Sequence, residues 1–168
     1  VFKYFSLLMM LFTIFISPFW SSFTEAWLKK DLYWIQNIMK KLGIVYLFFI
    51  ALGIFLFLIS KKIFSYWVGN SFDISFLISF LTLCWIFVNI WNGIFSQFLY
   101  GAGKIQLQMY IAIISAILNI PFAIFLGNKY SLEGIILANI LISSFGILIY
   151  PIQYFKLIQG KAFGIWNK

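Results

Sequence analysis

The chain has 168 residues, of which 64% are hydrophobic and 10% charged. A soluble domain carries about 25% charged residues, so a water-soluble core is excluded. Twelve lysines stand against four acids, and Arg and His are absent. With the single Cys84, this removes disulfides, clustered zinc ligands and His-based acid–base chemistry.

Every charge lies outside five uncharged, largely apolar runs: residues 4–24, 42–60, 74–103, 105–128 and 134–155. A helix needs about 20 residues to cross the ~30 Å hydrocarbon layer, and the runs reach or approach that length. The expected fold is all-α, a polytopic helical membrane protein with five transmembrane helices in one transmembrane region. The expected spans are about 4–20, 42–60, 74–99, 105–127 and 134–155, with an interfacial helix over about 22–41.

The first run has the outline of a signal peptide, with Lys3 ahead of Tyr4–Ile16. Ser17-Pro18-Phe19-Trp20 follows instead of a small-x-small cleavage site, so it reads as a true span. The start at Val1 rather than Met reads as a piece of a longer chain or a frame with a non-standard start. In the loop Ser21–Lys41, Ser21 or Ser22 with Glu25 has capping-box spacing and marks a helix start. Trp27, Tyr33 and Trp34 interleave with Lys29, Lys30, Lys40 and Lys41, a pattern that prefers the headgroup layer. Two readings fit the loop: an elbow joining two spans, or a lid touching headgroups.

The second run is almost wholly apolar and is placed toward lipid. The third, about 30 residues at ~1.5 Å each, is too long for one straight crossing without tilt, a kink or a protruding end. At ~100° per residue, Ser75, Ser79, Thr82, Asn89, Asn92, Ser96 and Gln97 share an arc of roughly 140° on it. Gln108, Ser115 and Asn119 share a face of the fourth run. Asn139, Ser143, Tyr150 and Gln153 share one on the fifth, with Gly146 between them, and the first run aligns Ser6, Thr13 and Ser17. Such stripes either glue helices together, at about 0.6 kcal/mol per bond, or line a hydrated cavity that binds sugar hydroxyls without charge. The pairs Ala112/Ala116 and Gly134/Ala138 have the spacing of close helix approach. Gly93 and Pro121 are expected to bend or end their helices, and Asp73 and Glu133 to cap the third and fifth.

No span carries a carboxylate or amine at its centre, so a proton relay or fixed cation site is not expected. Gly101-Ala102-Gly103-Lys104 lacks phosphate-loop spacing and reads as a turn. Neither hydrolysis nor group transfer finds its residues here, so no enzyme activity and no cofactor or metal are expected. The lysines sit at the ends of apolar runs, so topology explains the basic excess and no nucleic-acid partner is expected. Lys29, Lys30, Lys40, Lys41, Lys104, Lys156, Lys161 and Lys168 fall on one side of the membrane. Lys3, Lys61, Lys62 and Lys129 fall on the other. The positive-inside rule then places the C-terminus in the cytoplasm and the N-terminus outside, an orientation that fits an odd number of helices upstream.

Pro18-Phe19-Trp20-Ser21-Ser22-Phe23-Thr24-Glu25-Ala26, continued by Lys30-Asp31 and Trp34-Ile35, resembles a segment of bacterial oligosaccharide flippases. So do Gly101-x-Gly103-Lys104, Leu118-Asn119-Ile120-Pro121 and Glu133-Gly134. These are the O-antigen and capsular-unit flippases of the multidrug/oligosaccharidyl-lipid/polysaccharide exporter superfamily. The resemblance covers nearly the whole chain, through loose motifs. It implies the C-terminal part of a two-bundle exporter in the inner membrane, acting in surface polysaccharide biosynthesis. Its implied partners are a polyprenyl-diphosphate-linked oligosaccharide, membrane lipids, and missing N-terminal helices or a separately encoded half. It implies a cytoplasmic motif at Pro18, Trp20, Ser21, Glu25 and Asp31. Asn89, Asn92, Gln97, Asn119 and Asn139 are the candidate cavity lining. The chain departs from the family in length and in having no Arg. The rival readings are a multidrug/cation antiporter of the same superfamily, a membrane polysaccharide polymerase, and a nonfunctional truncated remnant.

Overall fold

The computed structural model describes residues 1–68 and 75–168. Its elements are α1 (Phe2–Ile16), α2 (Phe19–Leu28), α3 (Leu32–Val68), α4 (Phe76–Gly101), α5 (Gln106–Ser143) and α6 (Phe145–Ile158), with a short 3₁₀ turn at Gly164–Asn167. The protein is an all-α polytopic helical protein. Among the described residues, four helical stretches are long and apolar enough to cross a membrane: Phe2–Leu28, Leu32–Trp67, Phe76–Gly101 and Gln106–Ile158.

The last stretch folds back on itself. Tyr130 and Ser131 leave helical geometry, Ser131 at φ 54 and ψ −133. Asn119 then bonds Asn139 at 2.8 Å, and a Cβ on Gly134 would fall 2.0 Å from the Leu126 carbonyl oxygen. Four stretches therefore make five passes. Glu133 stands two residues beyond the reversal, where a carboxylate complements the dipole of the returning helix. Asp73 lies outside the described residues.

The expected single interfacial helix over about 22–41 is replaced by parts of two others. Ser17 and Pro18 stay in the right-handed helical region, so α2 prolongs α1 across a break set by proline's missing N–H. The capping-box start is also corrected. The helix begins at Phe19, and Ser21 Oγ bonds the Pro18 carbonyl instead. α2 ends in a Schellman turn: Asp31 N–H donates to Ala26 O at 2.9 Å and Lys30 N–H to Trp27 O at 3.1 Å. Asp31 then caps the next helix, its Oδ1 accepting the Trp34 N–H at 3.0 Å. α3 runs unbroken for 37 residues, roughly 55 Å at 1.5 Å per residue, so residues 32–41 are the outer turns of the second crossing.

α4 is the central helix and packs on α1, α2, α3, α5 and α6. Leu83, Ile86, Ile90, Ile94 and Phe98 recur every three or four residues and are all but fully buried, against Phe5, Leu8, Phe12 and Ile16 of α1. α4 continues through Gly93 without ending there. The glycine makes room for the Phe12 ring, whose Cε1 would lie 2.8 Å from an added Cβ. Pro121 likewise sits within α5 with no break there. Gly134 and Ala138 are buried in close helix contact, whereas Ala112 and Ala116 are exposed, so among the described residues the Ala112/Ala116 pair makes no such contact. Ile44, Leu47, Phe48, Ile54, Phe55 and Leu58 give α3 a broad exposed apolar side, as a lipid-facing helix requires.

α2, α4 and α6 finish together, each in the same way. Gly103 (φ 68) and Gly160 (φ 67) adopt left-handed geometry, with Lys104 N–H donating to Leu99 O and Lys161 N–H to Lys156 O. The glycine-lysine turn is thus a helix stop and not a phosphate loop. Lys30, Lys104 and Lys161 all stand at helix C-termini, where cations complement the dipole. This end of the molecule is its lysine-rich face.

Candidate functional site: a neutral polar cavity beside the central helix

Below the midpoint of α4, its polar arc turns toward the α5 hairpin and α6. The result is a cavity of about 380 Å³. Asn89, Asn92, Ser96 and Gln97 line it from α4, Ser115 from the outgoing arm, and Ser143 and Tyr150 from the returning one. None of its lining residues is charged. Sites of this size, with a few placed polar groups, suit small-molecule groups.

Toward the lysine-rich face the cavity meets a vestibule of about 510 Å³, lined by Ser17, Trp20, Gln97, Tyr100 and Ile105. Gln97 and Tyr100 line both spaces and form the threshold between them. A third space of about 160 Å³ lies toward the opposite face, beside Phe2, Thr82, Trp85 and Asn139.

Three of the five candidate residues, Asn89, Asn92 and Gln97, therefore share one cavity. Asn119 and Asn139 do not join them. They bond each other at 2.8 Å across the hairpin, and Asn139 borders the smaller space. Asn89 Nδ2 donates to the Trp85 carbonyl of its own helix at 2.8 Å, which turns its amide along the wall. Asn92 Nδ2 donates to Ser143 O at 2.8 Å, while its Oδ1 is buried without a partner. Gln108 Nε2 donates to Ser96 Oγ at 3.3 Å, and its own Oε1 is also buried and unpartnered. Thr13 and Ser17 of α1 bond carbonyls of their own helix, so only Ser17 of that stripe reaches the vestibule.

The motif residues form the α1–α2–α3 elbow at the lysine-rich face. Pro18 sets the break, Trp20 enters the vestibule, and Asp31 caps α3. Lys29 Nζ bonds Glu25 Oε1 one helical turn back, and that hydrogen bond holds the ammonium above its usual pKa. Both groups are well exposed, so the pair adds little stability. No family model, curated protein or solved structure matches the chain. The site is therefore read from its own chemistry.

Sequence reasoning passed over Tyr100 and the roles of Trp91 and Gln153. Tyr100 falls roughly 20° from Asn89 on the helical wheel, so its place in the polar arc is readable. Trp91 Nε1 donates to Ile147 O at 3.2 Å, and the fully buried Gln153 donates to Lys104 O and Trp166 O at 3.2 and 3.4 Å. These are long-range pairings with no local signal.

Proposed function

We propose that the chain is part of a flippase that moves polyprenyl-diphosphate-linked oligosaccharide units across a bacterial inner membrane for surface polysaccharide assembly. In this reading the lysine-rich face is cytoplasmic. The observation that carries it is the neutral cavity of amides and hydroxyls set among lipid-facing helices and joined to a vestibule at that face. Amides and hydroxyls exchange hydrogen bonds with sugar hydroxyls, and no buried charge has to be desolvated. The lipid tail stays in the bilayer while the glycan enters from the vestibule. A partner bundle, in the same chain or separate, completes the path, and rocking of the two exposes the cavity to each side in turn. A multidrug/cation antiporter needs an acidic group to hold its substrate. The cavity wall has none, which favours the neutral glycan.

The test is complementation of a strain lacking the whole protein with Asn89→Ala and Gln97→Ala versions of it, at matched membrane levels. Loss of surface polysaccharide with build-up of lipid-linked units inside the cell supports the reading. Unchanged surface polysaccharide in both variants refutes it.

A further inference from the structure

The core around the lower half of α4 is a lattice of rings meeting edge to face. Phe95 and Phe98 each meet Tyr154 edge-on, with centroids 5.7 and 5.2 Å apart, and Phe98 meets Phe23 at 5.6 Å. Two nearby tyrosines stay out of this lattice. Tyr100 on α4 and Tyr150 on α6 both line the cavity. Among the described residues, neither ring packs against another aromatic ring and neither hydroxyl has a hydrogen-bond partner. By contrast, Tyr4 and Tyr46 donate their hydroxyls to Leu56 O and Phe87 O. Tyr100 is 49% exposed and stands at the threshold with Gln97.

A tyrosine ring offers a negative face, a positive edge and a polar tip. A pyranose offers a patch of C–H bonds on its flat face and hydroxyls around its rim. The two surfaces match when the sugar lies against the ring. Gln97 and Ser96 line the same cavity and offer hydrogen-bonding groups for the sugar's rim hydroxyls. We propose that Tyr100, at the threshold, and Tyr150, on the cavity wall, form a clamp for one neutral pyranose ring. The clamp rests on the glycan reading of the cavity and adds the residues that select for ring shape. A linear polyol carries hydroxyls but no flat face, so the clamp passes it over. An anionic sugar meets no cation there, since the lining of both spaces is uncharged.

The experiment is saturation-transfer NMR on the full chain in lipid nanodiscs, with methyl β-D-glucopyranoside as the probe and sorbitol as the control. Expected is saturation of the ring C–H protons of the glycoside and little transfer to sorbitol. Tyr100→Ala or Tyr150→Ala raises the dissociation constant about three- to tenfold, the scale of one lost aromatic stacking partner. Tyr100→Phe keeps the face and retains binding, which separates stacking from loss of fold. If both alanine variants bind as the wild type does while Gln97→Ala weakens binding, the clamp is wrong and the glycan reading stands. If the wild type takes up neither solute, or both equally, the clamp and the glycan reading fall together.

Discussion

Asn92 Nδ2 donates to the Ser143 carbonyl at 2.8 Å, one residue before the fifth crossing breaks at Ser144. The bond ties the central helix to the point where the returning arm changes from α5 to α6. Gly146 completes the arrangement, since a Cβ there would lie 2.8 Å from three atoms of the Asn92 amide. Asn92, Ser143 and Gly146 are thus one packing unit that also walls the cavity. Asn92 is both glue and lining, so its loss cannot be assigned to function without a stability measurement. Its unpartnered Oδ1 is a buried acceptor, the kind of group that gains by meeting a ligand hydroxyl or an ordered water.

Asn92→Ala should therefore destabilise the fold by about 0.6–1.7 kcal/mol, the scale of interhelical hydrogen bonds in membranes. Gly146→Ala should cost about 1–3 kcal/mol, because the added methyl displaces the Asn92 amide from a packed site. The double variant should cost less than the sum, since removing the amide opens space for the methyl. Unfolding of the four proteins in mixed micelles measures all three terms. Strict additivity would show that the two residues do not share the site.

Gly101 of α4 and Gly43 of α3 should respond in opposite ways. A Cβ on Gly101 meets Phe23 Cβ at 2.7 Å and the Trp20 carbonyl oxygen at 2.9 Å. One of these is backbone and cannot rotate away. Gly101→Ala should push α2 from α4 and cost about 1–3 kcal/mol. Gly43 has nothing within 4 Å of its added Cβ, so Gly43→Ala should be neutral or stabilise by up to ~1 kcal/mol through helix propensity. Midpoints of thermal unfolding in one detergent rank the pair, and a reversed order would sink the close-approach account.

The charge pattern made five passes legible because a lysine inside hydrocarbon is costly. The gap in charge from residue 4 to 24 closely matches α1 and the first turns of α2. The gaps at 105–128 and 134–155 bracket the reversal at Tyr130–Ser131. The elbow was harder to read. Lys30 takes a left-handed conformation that sequence assigns to glycine, so the stop at Leu28 carries no glycine signal and α3 gains its extra turns unannounced. The cavity was half legible. Helical spacing puts Asn89, Asn92 and Gln97 on one arc, but a wheel gives no depth along the neighbouring helix. Whether Asn139 faces Asn89 or Asn119 depends on the tilt of the hairpin, and the hairpin pairs Asn139 with Asn119.

Lys30 at φ 57 carries the Cβ–carbonyl crowding that disfavours left-handed geometry in L-residues. Lys30→Gly removes it and keeps the Schellman bonds, which are made by backbone. The substitution should stabilise by up to ~1 kcal/mol, while Gly103→Ala should destabilise by a similar amount. Lys30→Ala is the control for charge, as it removes the ammonium and leaves the strain. If Lys30→Ala stabilises as much as Lys30→Gly, like-charge relief at the elbow and not backbone geometry is the cause.

Water access along α4 decides whether the polar arc is a cavity or a seam. Cys84 is the chain's single cysteine, so Cys84→Ala gives a background free of thiols. Asn89→Cys, Gln97→Cys and Ser115→Cys place a thiol on the cavity wall. Ile113→Cys and Ile120→Cys place one on the exposed apolar side of α5. Reaction with a maleimide requires the thiolate, which forms in water and is suppressed in hydrocarbon. A membrane-impermeant maleimide added at the lysine-rich face should therefore modify the cavity positions at least an order of magnitude faster than the apolar ones. Gln97→Cys should be the fastest, because that residue lines both the cavity and the vestibule. The same reagent at the opposite face should be slower at Asn89→Cys, since the space beside Trp85 and Asn139 is separate and smaller. Equal, slow modification at all five positions would mean that the polar arc is sealed between helices, with its amides serving only to hold them together.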